Sequence, residues 1–142
     1  MYNVKEDFKK FAKSSGIATS VMDDFEKYQI SNNTPYILEE RQMNVTQMDV
    51  FSRLLLDKII FVTGGVDQRM SDIVQAQLLF LESLDKSRDI TLYINSPGGS
   101  VNAGLGIVDV MNHIQPDIAT INIGMCASMG SILLGAGTPG KR

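Results

Sequence analysis

The sequence predicts an α/β fold of repeated β-α-β units around a mainly parallel sheet. Three observations predict it. Short, nearly unbroken apolar runs recur at Ile59–Thr63, Ile90–Asn95 and Ile118–Ile123. Between them lie longer stretches with apolar residues at helical spacing. Glycine, proline or charged loop residues separate every run from the next, and each connection is long enough for a crossover helix.

Residues 1–33 read as an N-terminal extension. Phe8, Phe11 and Ala12, then Val21, Phe25 and Tyr28, recur at roughly helical spacing among many charges. Ser14-Ser15-Gly16 separates these stretches, and Ser31-Asn32-Asn33-Thr34-Pro35 closes the second with loop residues. A detachable extension and a helix pair packed on the domain both satisfy this pattern. Phe51 to Leu55 is a short helical turn, and Ile59–Thr63 is a buried strand closed by Gly64-Gly65. Asp67 can cap a helix carrying Met70, Ile73, Val74, Leu78 and Leu81 on one stripe. After the polar loop 85–89 comes the strand Ile90–Asn95, then a helix from about Asn102 to His113 with Leu105, Val108 and Met111 or Ile114 inward. Pro116-Asp117 stops it, Ile118–Ile123 is the third strand, and Met129–Leu134 starts a third helix. Strands this apolar are expected where helices cover both faces of a sheet.

Composition narrows the function. Of 142 residues, 44% are hydrophobic and 20% charged, which suits one globular domain rather than a disordered polypeptide. A net charge of −3 argues against nucleic acid or an anionic membrane as main partner. The single cysteine excludes an internal disulfide. No secretory leader pattern and no apolar run of membrane-spanning length is present, so a cytoplasmic protein is expected.

Two motifs carry chemistry. In Tyr93-Ile94-Asn95-Ser96-Pro97-Gly98-Gly99-Ser100-Val101 a strand runs into a glycine turn that can aim backbone N–H groups into open space. In Gly124-Met125-Cys126-Ala127-Ser128-Met129-Gly130 a serine stands between small residues at the start of a helix, where developing negative charge is favoured. The N–H groups of the glycine turn, with that of Met129, can converge on one oxyanion. Taken alone, Pro-Gly-Gly is also an ordinary strand-to-helix turn, and a serine before a helix is also an ordinary cap. The Cys-Ala-Ser-Met-Gly run satisfies only half of the Gly-x-Ser-x-Gly elbow. Cys126 reads as a small buried side chain before it reads as a nucleophile.

The run Leu92 to Val101, then Ala103-Gly104, Ile114-x-Pro116-Asp117, Ala127-Ser128-Met129-Gly130 and Gly140-Lys141-Arg142, closely resembles the ClpP family, the proteolytic subunits of ATP-dependent Clp proteases. Phe51-Ser52-Arg53-Leu54-Leu55 and Gln77-Leu78-Leu79-Phe80-Leu81 fit as well, and the resemblance covers about residues 50–142. It implies the ClpP/crotonase-type fold, with residues 49–142 as part of a head domain, 34–48 as an axial-loop-like segment and 1–33 as propeptide-like. It implies Ser128 as nucleophile and the amides of Gly99 and Met129 as oxyanion hole. An extended peptide would pair along Gly98, Gly99, Ser100 and Val101. Leu79, Tyr93 and His113 would fall near clefts where an AAA+ unfoldase docks, although an aromatic ring is common where His113 stands. The family stacks two seven-membered rings around a chamber that receives unfolded proteins. No metal or organic cofactor is implied.

The resemblance also places a catalytic His and then an Asp after the serine, followed by a handle through which the rings interdigitate. The stretch 129–142 contains no His, Asp or Glu. His113 precedes Ser128 and is expected at the opposite end of the sheet, and nothing in the position of Lys141 recommends it as a base. The simplest expectation is an incomplete sequence of a normal enzyme. A non-catalytic ring subunit or inactive fragment is one alternative. A crotonase-type acyl-CoA enzyme is another, although no feature suits the CoA nucleotide.

Overall fold

The computed structural model describes residues 4–14, 36–41 and 44–142, which divide into two compact units, 1–57 and 58–142. In the first unit, helix α1 spans Val4–Ser14. Strands β1 (Tyr36–Arg41) and β2 (Asn44–Asp49) form an antiparallel hairpin, in register from Tyr36↔Asp49 to Arg41↔Asn44. Helix α2 (Val50–Leu56) follows, its first turn capped by the Asp49 carboxylate, which accepts the Ser52 N–H at 3.0 Å. The second helical pattern of the extension, Val21 to Tyr28, lies outside the described residues.

The second unit alternates strand and helix throughout: β3 (Ile59–Thr63), α3 (Gln68–Leu84), β4 (Ile90–Ser96), α4 (Val101–His113), β5 (Ile118–Cys126) and α5 (Met129–Gly135). The strands lie in the order β3-β4-β5 and both pairings are parallel. The α/β expectation holds, and the helical crossovers are what allow parallel neighbours.

Burial alternates along β3 and β4. Ile60, Val62, Leu92 and Ile94 are fully enclosed, whereas Ile59, Phe61, Thr91 and Tyr93 are only half-buried. The unbroken apolar runs suggest helices on both faces, but within this unit the two faces are unequal. On α3 the anticipated stripe is real: Ile73, Val74, Leu78 and Leu81 are buried, and Met70 is half-buried. Each such side chain removed from water stabilises the fold by about 1.5–3 kcal/mol. Asp67 caps the helix as expected, accepting the Met70 N–H at 2.8 Å.

Helix α4 differs from expectation. Its buried stripe is Ala103, Gly104, Ile107 and Met111, and Leu105 is 45% exposed. The cause is the close approach of Met129, whose side chain occupies the space that a Cβ on Gly104 would need. The helix turns its small residues toward α5, and Leu105 is rotated outward.

Strand β5 runs three residues beyond the expected end at Ile123. Register moves from Ile94↔Asn122 to Ser96↔Cys126, so β5 bulges at 123–125. Gly124, at φ 96°, makes the bend, and the Asn95 side chain fills it by accepting the Met125 N–H at 3.0 Å. The segment after α5 returns to the outer edge of β5. Thr138 N–H donates to Ile118 C=O, Thr120 N–H donates to Lys141 C=O, and the Lys141 ammonium grips Asp89 at 2.5 Å and Asp117 at 2.9 Å.

Candidate active site

The two motifs meet at the C-terminal ends of the strands, where ligands gather in open parallel sheets. After β4 the backbone turns through Pro97, Gly98 and Gly99, with φ 92° and 154° at the glycines. A Cβ at Gly98 would stand 2.6 Å from the Ser128 Cβ and 2.8 Å from the Met129 nitrogen, so the turn lies directly against the serine. A Cβ at Gly99 would collide with the Val66 carbonyl oxygen. Both positions therefore require glycine for conformation and for space.

The hydrogen bonds decide which groups of this turn stay open. Val66 bridges Gly99 in parallel fashion: its N–H donates to Gly98 C=O at 2.9 Å, and its C=O accepts from Ser100 N–H at 2.7 Å. Gly98 N–H donates to Ser96 Oγ at 3.0 Å. Because peptide groups alternate in direction along an extended backbone, the N–H of Gly99 faces away from Val66. Among the described residues it has no hydrogen-bond partner, and neither has the N–H of Met129 or Val101. Ser100 is occupied as the cap of α4, its hydroxyl accepting the Ala103 N–H.

Ser128 has φ 49° and ψ −123°, one of two non-glycine residues at positive φ among those described. Strain of this kind costs on the order of 1–3 kcal/mol and persists only where the surroundings over-determine it. They do so here. Ala127 N–H donates to Ser96 C=O at 3.0 Å, and Ser128 C=O accepts from both the N–H and the hydroxyl of Ser131. The Ser128 side chain is exposed, makes no cap hydrogen bond and has no partner among the described residues. The plain-cap reading of this serine is therefore wrong. The backbone is bent as in a nucleophile elbow even though the flanking pattern is incomplete.

The other candidates stand apart. His113 is exposed at the end of α4, beside the start of β5, and the nine-residue strand separates it from Ser128 by roughly 25 Å along the sheet. Lys141 is held by two carboxylates, Asp89 foremost, which keep its ammonium above the usual lysine range and unfit as a base near neutrality. Cys126 is half-buried and burial pushes its thiol up, which suits packing rather than attack. Tyr93 stacks on Phe61 with ring centroids 5.4 Å apart on the half-buried sheet face, while Leu79 is half-buried on α3. Among the described residues no cluster of three His, Cys, Asp or Glu is placed to hold a metal, and no helix is long and apolar enough to cross a membrane.

Sequence reasoning gives Ser96 and Asn95 no role of their own: Asn95 ends the predicted strand, and Ser96 is only part of the run into the glycine turn. Ser96 is fully buried, donates its hydroxyl hydrogen to Gly64 C=O at 2.6 Å and accepts from Gly98. The available signal is two polar residues in succession at the end of an apolar run.

A parallel α/β unit that holds a free hydroxyl on a strained strand-to-helix turn, packed against a glycine turn with open backbone N–H groups, has a layout from which acyl-transfer sites can be built. Residues 40–142 match the Clp protease family, and the chain belongs to it. It is 56% identical over 138 residues to the ATP-dependent Clp protease proteolytic subunit of Bacteroides fragilis strain YCH46, and equally to that of Bacteroides thetaiotaomicron strain VPI-5482. It is 53% identical over 137 residues to the subunit of the same name from Porphyromonas gingivalis strain W83. The matches take in 96% of this sequence but 62–63% of those relatives, so it spans about three-fifths of their length.

Proposed function

We propose that this protein holds the nucleophile and oxyanion hole of a Clp-type serine endopeptidase subunit, acting on unfolded proteins in the cytoplasm with an AAA+ unfoldase. The observation that carries the reading is the backbone of Ser128, strained and free of any cap, directly against a glycine turn with open N–H groups. Ser128 Oγ attacks the scissile carbonyl carbon. Its proton passes to the histidine that the resemblance places after the serine in the complete protein, which an Asp orients. The carbonyl oxygen, now negative, is held by the N–H groups of Gly99 and Met129. The histidine then protonates the leaving amine, and water releases the acyl group by the same steps in reverse. An extended substrate adds to the open edge of the turn at Gly99 and Val101, beside the Gly98 and Ser100 groups already paired with Val66. Backbone pairing of that kind tolerates many side chains, as an unfolded-protein substrate requires. Leu79, Tyr93 and His113 are proposed as docking positions for the unfoldase, and two stacked heptameric rings as the assembly.

A fluorophosphonate, which reacts only with an activated serine, tests the assignment on the complete protein. Labelling at Ser128 is expected, and Ser128→Ala is expected to lower peptide hydrolysis by about 10⁴-fold or more while ring assembly is kept. Hydrolysis at the wild-type rate in Ser128→Ala overturns the assignment. Absence of labelling favours a non-catalytic ring subunit or a crotonase-type chemistry that needs no serine.

A further inference from the structure

We infer that Ser96 is a positioning residue that sets the spacing between the two halves of this site; the inference rests on the reading of Ser128, Gly99 and Met129 given above. Ser96 is the residue that ties the two turns together. Its side chain is fully enclosed, and its hydroxyl is used twice: it donates to Gly64 C=O at 2.6 Å and accepts from Gly98 N–H at 3.0 Å. Its backbone carbonyl oxygen accepts from Ala127 N–H at 3.0 Å, one residue before Ser128. Helix α5 packs onto the same residue, since a Cβ at Gly130 would stand 2.9 Å from that oxygen.

The consequence is geometric. With its N–H committed to Ser96, Gly98 cannot turn that group toward a substrate, and the peptide that follows presents the N–H of Gly99 instead. With Ala127 anchored to the same residue, the Met129 N–H is fixed relative to Gly99. The serine hydroxyl thus selects which amide of the glycine pair is offered, and the serine carbonyl holds the second donor in step. Serine suits this role because its hydroxyl can donate and accept at once within a space that excludes water. An alanine keeps the carbonyl anchor, loses both hydroxyl bonds and leaves the Gly98 N–H without its acceptor and the Gly64 C=O without this donor. A displacement of about 1 Å in a reacting geometry can cost on the order of 100-fold in rate.

The test is steady-state peptide hydrolysis by the complete protein, with melting temperature and fluorophosphonate labelling rate followed in parallel. For Ser96→Ala, kcat and the labelling rate are expected to fall by about 10- to 100-fold with KM within about twofold, since the donors act on the transition state. Ser96→Thr retains the hydroxyl and is expected to recover most of kcat even if it melts lower, so that rate and stability part company. A kcat within twofold of wild type in Ser96→Ala overturns the inference while leaving the nucleophile assignment standing. So does a parallel loss of kcat and melting temperature that Ser96→Thr shares in full. If Ser96→Ala does not fold, the near-isosteric Ser96→Cys is judged by the same criteria, and failure of both to fold makes Ser96 a purely structural residue. The proposed function fails separately, through wild-type hydrolysis in Ser128→Ala.

Discussion

At the scale of single residues, space decides as much as chemistry. Gly98 has no Cβ, and the room left by that absence lies in front of the Met129 nitrogen and against the Ser128 Cβ. On the proposed mechanism, one added methyl would crowd the place of the substrate's carbonyl oxygen, at a φ that L-residues rarely adopt. Gly98→Ala is therefore expected to abolish fluorophosphonate labelling and peptide hydrolysis. Circular dichroism and mass analysis of the labelled protein check it; a folded variant labelled at the wild-type rate would mean that the oxyanion does not sit there. Ser128 itself shows the limit of the sequence. Its position before an apolar helix is legible, but a cap and a nucleophile share that position. The backbone angles and the missing cap bond set it apart from a plain cap and support the proposed nucleophile.

At the scale of elements, β3 to β5, the helices and the Asp67 cap of α3 are legible because apolar period and capping chemistry are local properties, whereas the β1-β2 hairpin falls in a stretch for which the resemblance implies only an axial-loop-like segment. What is not legible depends on distant residues. Gly124 interrupts the apolar run and so suggests an end of β5 at Ile123, yet the strand continues to Cys126 because Asn95, on another strand, satisfies the Met125 N–H. The inward stripe of α4 departs from its apolar pattern for a similar reason, since Met129 presses on Gly104 from a helix whose contact no local pattern announces. This contrast yields a paired prediction. Asp67→Ala should cost about 1 kcal/mol of stability, a usual cap value, and leave the reactivity of Ser128 unchanged. Asn95→Ala removes one exposed hydrogen bond, a loss of about 1 kcal/mol or less, but frees the bulge that leads to Ser128, and labelling should slow about tenfold. Denaturant midpoints and labelling rates measured on both variants test it, and equal labelling rates would disconnect the bulge from the site.

At the scale of the whole second unit, the last residues set the course of the backbone. As numbering climbs from Thr138 to Lys141, the partners on β5 climb from Ile118 to Thr120, so this segment lies along the strand edge in the strand's own direction. Any residues that follow Arg142 start on a path toward the end of β5 where Ser128 sits. The path is fixed by the Lys141 ammonium between Asp89 and Asp117, with the Arg142 guanidinium donating to Gly135 C=O and Gly137 C=O. The two carboxylates, Asp89 first, raise the Lys141 pKa above its ordinary value. A raised folded-state pKa means that, with both carboxylates ionised, the ion pairs contribute fully from neutrality up to the unfolded lysine value and are lost as pH rises through the higher folded value. The difference in melting temperature between the wild type and Lys141→Met should therefore be flat from about pH 6 to pH 9 and shrink only beyond the ordinary lysine range, near pH 10.4. It should also shrink with salt at neutral pH, because the pairs are partly exposed. If a difference persists unchanged at high salt and alkaline pH, the Lys141 stem acts by packing and its charge does not steer the backbone. If it vanishes as expected, the same variant of the complete protein should hydrolyse peptides more slowly, because the proposed histidine would then approach Ser128 on a looser tether.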